Sequence, residues 1–267
     1  MVDIYAKENY YDKNGLLLLA KGQKITEGMM KKLESHAVFA ETSNSLNFSG
    51  SLMVTQSANE IMDKMDIHNE TVVEEATEVL TSVIFESRKE PWFIVSNALS
   101  NYVDWVYTHS INVAIISLMI AVESGYSDED LWNIGLGAFL HDVGKMLIPK
   151  TIIQKPAALD EQEMSIMKQH CELGVYSLEP YGLPKETIDT ILQHHERIDG
   201  SGYPKGLKED HISRDAKIVM VADVVDAVTS FRPYRSPRTL DEAVNALKSK
   251  PYKYPQETVA ILETILT

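Results

Sequence analysis

The stretch LGAFLHDVGKMLIP, residues 136–149, sets His141 and Asp142 side by side between two apolar runs. Apolar flanks imply burial, and a buried carboxylate needs a partner, because an unpaired charge in the interior is strongly destabilising. Two partners fit. One is Lys145, three residues on, in an ordinary ion pair. The other is a metal ion, for which imidazole nitrogen and carboxylate oxygen are standard ligands. The choice depends on whether the chain supplies more ligands.

Outward from that stretch, further donors recur. His109 stands at the start of an apolar helix over 109–123. His170 ends DEQEMSIMKQH (160–170), and His194 and His195 end PKETIDTILQHH (184–195). Asp223 is a lone acid inside KIVMVADVVDAV (217–228) and must be neutralised. Each histidine alone has an ordinary explanation: a satisfied core residue for His109, a helix C-terminal cation for His170. Jointly, five histidines and two aspartates at helix ends and in apolar runs are improbable as accidents of the core. Cys171 reads as a small packing residue.

The 267 residues, 44% hydrophobic and 24% charged, suffice for one large domain or two modest ones with a sizeable core. A formal charge of −14 argues against binding nucleic-acid polymers, whose footprint is basic. It leaves room for a small anion held by local cations. One cysteine gives no internal disulfide and fits a reducing compartment. The start, MVDIYAKENYYDKNG, lacks the order of a signal peptide, and VAIISLMIAV (113–122) is too short to span a bilayer. The expectation is a cytoplasmic protein without membrane contact.

From about residue 52 the helical period dominates. A helix near 52–65 leads to one over 71–85, with Val72, Ala76, Val79, Leu80 and Val83 on one face and a Thr71/Glu74 capping box. Residues 92–107 and 109–123 read as two more helices, the second apolar all round and therefore central. Ser127 caps the next, Asp160 opens another, and Pro184 sits in the first turn of a third. Residues 215–230, 240–249 and the last amphipathic run complete the set. Residues 1–50 differ. Asn14-Gly15 and Lys21-Gly22 bracket the apolar run Leu16–Ala20, which predicts a strand or hairpin, and Thr26 caps a short helix carrying Met29, Leu33 and Val38. The expected organisation is a small α/β module over 1–50, a linker helix over 51–69, and an all-helical domain over 70–267.

HHERIDGSGYP (194–204) resembles the signature of the HD-GYP family, a branch of the HD superfamily of metal-dependent phosphohydrolases. YTHSINVA, HDVGKMLIP, Lys155-Pro156, HCELG and VADVVDAVTSFRPYR resemble the family's other blocks, in order, across roughly 70–267. The resemblance implies a mainly α, HD-type fold and bacterial second-messenger signalling. It also implies hydrolysis of cyclic di-GMP to linear pGpG, in part on to GMP, by a water that two metal ions activate for attack on phosphorus. Cyclic GMP–AMP hydrolysis, a weakly active cyclic-dinucleotide receptor and a mononucleotide phosphohydrolase are the alternatives.

Carried over by motif, His109, His141, Asp142 and Asp223 would bind one metal, and His170, His194 and His195 the other, with Asp142 bridging. Neighbouring residues on a helix point about 100° apart, so His141 and Asp142 can serve adjacent ions. Such ligands suit iron or manganese, with zinc and nickel also compatible. Some family members hold a third metal with a glutamate four residues before the first histidine; here that position is Trp105, so two ions are expected. Asp142, Lys145 and Asp223 are the expected catalytic residues. Lys145, Arg232 and Arg235 would contact the dinucleotide phosphates, Arg235 as a bidentate fork. Gly202, Tyr203 and Pro204 would shape a wall near the metals, and the family links this loop to docking with messenger-synthesising proteins. The pattern is compatible with a dimer through the helix near 52–65 but does not fix the oligomeric state.

Overall fold

Helical periodicity becomes helix from Ser49 onward. The computed structural model describes residues 10–11, 17–19, 39–40, 49–67, 69–88, 90–230 and 236–266. In chain order the helices are α1 (Ser49–Met65), α2 (Glu70–Ser87), α3 (Phe93–Tyr102), α4 (Asp104–Glu123) and α5 (Asp128–Leu140). A 3-10 turn (Val143–Leu147) follows, then α6 (Lys150–Ile153), α7 (Glu161–Lys168), α8 (His170–Leu178) and α9 (Lys185–Gln193). The last three are α10 (Arg214–Thr229), α11 (Leu240–Lys248) and α12 (Gln256–Ile265).

The chain divides into two compact units, Met1–Gln56 and Ser57–Thr267, and α1 runs across the boundary. In the first unit, β1 (Tyr10–Tyr11) pairs antiparallel with β2 (Leu17–Leu19) on one side and β3 (Phe39–Ala40) on the other. Ladders of two or three residues fall below usual strand length. They do not establish the strand-containing module expected over 1–50, and the fold class carried by the described residues is mainly α. The helix expected after Thr26, with Met29, Leu33 and Val38, lies outside the described residues, as do Arg232 and Arg235.

In the second unit α4 is central, as its all-round apolarity predicts. Ile111, Val113, Ala114, Ile115, Leu118, Met119, Ile120 and Ala121 are buried, and α2, α3, α5, α10 and α12 pack around the helix. Among the described residues it alone is long and apolar enough to cross a membrane, yet most of it is buried inside the fold. Ser127 caps α5, accepting from the Asp130 amide, and Asp160 closes a reciprocal capping box with Glu163 at α7.

Several boundaries differ from expectation. α1 begins at Ser49, two residues before the linker helix expected over 51–69, and ends at Met65. α2 begins at Glu70 with Asn69 before it, so Thr71 lies within the helix instead of capping it. The break between α3 and α4 falls at Val103, whose extended backbone (φ −147°, ψ 104°) lets its side chain enter a cluster with Leu99, Val106, Ile148, Ile152 and Ile153. His109 consequently sits in the second turn of α4, not at a helix start. Pro184 immediately precedes α9. His170 opens α8, so it is no C-terminal cation of the preceding helix.

The 3-10 turn after α5 packs directly on α8. A Cβ on Gly144 would lie 1.9 Å from the His170 carbonyl oxygen and 2.5 Å from the Gly174 nitrogen. Only glycine permits this approach, which holds the HDVGK segment against the start of α8. Gly144→Ala is expected to cost about 1–3 kcal/mol by overpacking, read as a lower urea midpoint. An unchanged midpoint would contradict the close contact.

Candidate metal centre

α5 ends at Leu140, and the next two residues leave the helix: His141 as its C-cap, Asp142 at the head of the 3-10 turn. Both are fully buried, as are His170 and His194. Lys145 lies one 3-10 turn beyond Asp142, where side chains at i and i+3 eclipse. Its Nζ donates to Asp142 Oδ2 at 2.5 Å. The ion pair anticipated from the sequence is therefore present, and it coexists with a ring of histidines around the same carboxylate.

The seven expected ligands come together from α4, the α5 end, the α8 start, the α9 end and α10. Donor atoms of Asp142, His170, His194 and His195 lie within 4.8 Å of one another, and so do those of His109, His141 and Asp223. Asp142 turns one oxygen to each set. Oδ2 is 3.6 Å from His109 Nε2 and 3.4 Å from His141 Nε2; Oδ1 is 3.4 Å from His170 Nε2 and 3.9 Å from His194 Nε2. His195 Nδ1 is 3.7 Å from Asp223 Oδ2.

Three of the histidines share one device. Nδ1 of His141, His170 and His194 lies 2.6, 2.7 and 2.8 Å from the carbonyl oxygens of Ala138, Met167 and Ile191. A carbonyl only accepts, so Nδ1 carries the proton and Nε2 presents a lone pair inward. His170 Nε2 and His194 Nε2 then face each other at 3.3 Å as two acceptors. His141 Nε2 and Asp142 Oδ1 are buried without a hydrogen-bond partner. Facing acceptors and orphaned donor atoms in a dry site are what a divalent cation resolves, so the residues fit metal ions.

Electrostatics agree. Burial pushes Asp142 up, but the Lys145 ammonium beside it leads in holding its carboxyl well below the usual range. Burial lowers His170 to about 4, with the charge of Asp142 opposing, and holds His194 and His195 well below the ordinary imidazole value. The site thus offers an ionised carboxylate and neutral imidazoles, the ligating forms of both.

Two functional carboxylates were not singled out by sequence reasoning. Asp223 is not a lone acid: Asp226, one turn further along α10, is also buried. Its Oδ2 lies 2.6 Å from His109 Nδ1, while Oδ1 accepts from Asn112 Nδ2 at 2.8 Å and Ser230 Oγ at 2.6 Å. The i, i+3 spacing of the two aspartates in VADVVDAV was the available signal. The other is Glu196, fully buried, whose oxygens accept from the amides of Lys205 at 2.7 Å and Leu207 at 2.9 Å.

Glu196 thereby folds the GYP loop back on the site. A Cβ on Gly202 would fall 2.4 Å from the Glu196–Arg197 backbone. The Tyr203 amide donates to the His195 carbonyl at 3.1 Å, and its ring lies 4.7 Å from the His195 ring, next to Pro204 across a cis peptide. Cys171, also buried, has its thiol pushed up by burial, as befits a packing residue. Its Sγ lies 3.5 Å from His170 Nε2.

A helical domain that converges His, His-Asp and Asp from successive helices on one buried point defines an HD-type centre. A profile of the HD domain family matches residues 94–257. The chain belongs to the HD domain family. It is 42% identical over 158 residues to a Thermotoga maritima protein named cyclic di-GMP phosphodiesterase, matching 58% of this chain and 43% of that one. It is 32% identical over 155 residues to 3'3'-cGAMP-specific phosphodiesterase 1 of Vibrio cholerae, 58% of this chain and 36% of that one. The match thus spans less than half the length of these curated relatives. In fold the chain is similar to Bd1817, an HDG"Y"P protein from Bdellovibrio bacteriovorus, at a TM-score of 0.56 and 21% identity over 99% of this chain and 95% of that one.

Glu196→Gln should leave one loop amide without its acceptor, at a cost of about 1–3 kcal/mol. Hydrogen exchange at the Lys205 and Leu207 amides should speed roughly tenfold or more. Unchanged protection would contradict the role of Glu196.

Proposed function

We propose that this chain is a metal-dependent phosphodiesterase that linearises cyclic di-GMP to pGpG. The observation that carries the reading is the pair of facing Nε2 atoms on His170 and His194, 3.3 Å apart, beside an Asp142 that divides its oxygens between two donor sets. His109, His141, Asp142 and Asp223 would hold one divalent ion and His170, His194 and His195 a second, with Asp142 shared. Iron or manganese suits this nitrogen-rich set. Trp105, one turn before His109 in α4, packs on the apolar cluster of Val103 and Ile148 and offers no ligand, which favours two ions over three.

Ions bound there supply Lewis acidity at the phosphate and lower the pKa of water. The chain's own residues do the rest. The backbone carbonyls at i−3 fix the imidazole planes. Asp142 and Asp223 orient the ligand field and the attacking water. Lys145, paired with Asp142, would meet a non-bridging phosphate oxygen. Arg232 and Arg235 would hold the phosphates. Tyr203, whose ring lies 4.7 Å from that of His195, would form a wall of the site. We further read the protein as cytoplasmic, with the GYP loop as a docking surface for messenger-synthesising proteins.

The test is turnover by anaerobically metallated protein on cyclic di-GMP and 3'3'-cGAMP, with metal content measured alongside. Cyclic di-GMP should be hydrolysed faster; tight binding without hydrolysis would make the chain a receptor instead, and preference for cGAMP would reassign the substrate. Asp142→Ala should abolish turnover and lose metal. Arg235→Ala should raise KM more than it lowers kcat; unchanged kinetics would remove Arg235 from the phosphates.

A further inference from the structure

We propose that Lys64, Ser230 and Asp226 form a positioning relay that holds His109, reaching from α1 to the first donor set. The inference rests on the metal reading above and adds to it a residue from outside the catalytic motifs. Lys64 Nζ donates to Ser230 Oγ at 2.8 Å, and Ser230 Oγ donates to Asp226 Oδ1 at 2.6 Å. Asp226 Oδ2 takes His109 Nδ1 at 2.6 Å.

The direction of the chain is set by its chemistry. An ammonium only donates, so Ser230 Oγ accepts from Lys64, and its single hydrogen is free for Asp226. Asn112 adds a second donor to the same oxygen at 2.8 Å, and the carboxylate plane is fixed. That plane sets the His109 ring. Nδ1 then carries the proton, and Nε2 faces Asp223 Oδ1 at 3.1 Å as an acceptor beside an acceptor, the geometry of two ligands on one cation. Asp223 and Asp226, one turn apart on α10, address the two nitrogens of one imidazole.

Asp226 is 1% exposed and carries a charge that needs an offset. Lys64 brings a cationic donor from the surface through Ser230, where the relay borders a cleft of about 380 Å³ lined also by Glu60, Trp105 and Asn112. Because Lys64 is exposed, replacing it leaves the core intact. Lys64, Ser230, Asp226 and His109 all lie in the unit Ser57–Thr267.

The experiment is Mn²⁺ titration of the stripped full chain by calorimetry, with thermal unfolding in parallel. Asp226→Asn should weaken one of the bound ions by roughly 10–100-fold, and Lys64→Met and Ser230→Ala by roughly 3–10-fold. Lys64→Arg, which keeps a cationic donor, should restore the affinity. Lys64→Met should add little to Asp226→Asn, because the link is already cut. Wild-type affinity in Lys64→Met, failure of Lys64→Arg to rescue, or independent effects in the double variant would each overturn the relay while the metal site stands. No Mn²⁺ binding by the wild-type chain would overturn the metal reading and the relay with it.

Discussion

Two imidazole nitrogens with lone pairs turned on each other, His170 Nε2 and His194 Nε2 at 3.3 Å, are the constraint around which this domain is arranged. In water such an encounter would relax by rotation of either ring. Here each ring is pinned by its own i−3 carbonyl and buried completely, so the repulsion cannot be screened or avoided. Charge placed between the rings relieves it. The orphaned Asp142 Oδ1 faces the same point.

Holding that arrangement requires a rigid frame. α4 supplies it by filling the centre of the bundle with apolar side chains, and α5 and α10 pack along its length. Gly144 lets the chain turn out of α5 at van der Waals distance from the α8 backbone, which brings His141, Asp142 and His170 together. Glu196 ties the loop that follows His195 back over the site through two amides. Strongly negative overall, the protein gathers buried imidazoles and Lys145 around Asp142.

Much of this was legible in the sequence. His141-Asp142 between apolar runs implied a buried donor pair, and the histidines ending their motifs supplied the rest; the structure gathers all seven into adjoining sets. Of the alternatives for Asp142, the ion pair with Lys145 is present, on an oxygen that also faces the histidines of the first donor set. Helix boundaries were less legible. Val103 breaks the chain between α3 and α4 through tertiary burial, which local propensity does not encode, and this moved His109 inside its helix. Supporting groups were harder still. Asp226, Ser230 and Lys64 act through partners 117 and 166 residues apart in sequence, and Glu196 reads as an ordinary loop acid until its backbone partners are seen.

The central claim, that one buried carboxylate divides two cations between two histidine sets, is tested most directly by anomalous diffraction from crystals of the metallated chain. The expected result is two anomalous peaks flanking Asp142, one among His109, His141 and Asp223, the other among His170, His194 and His195. A single peak, or peaks that leave either set without an ion, would contradict it.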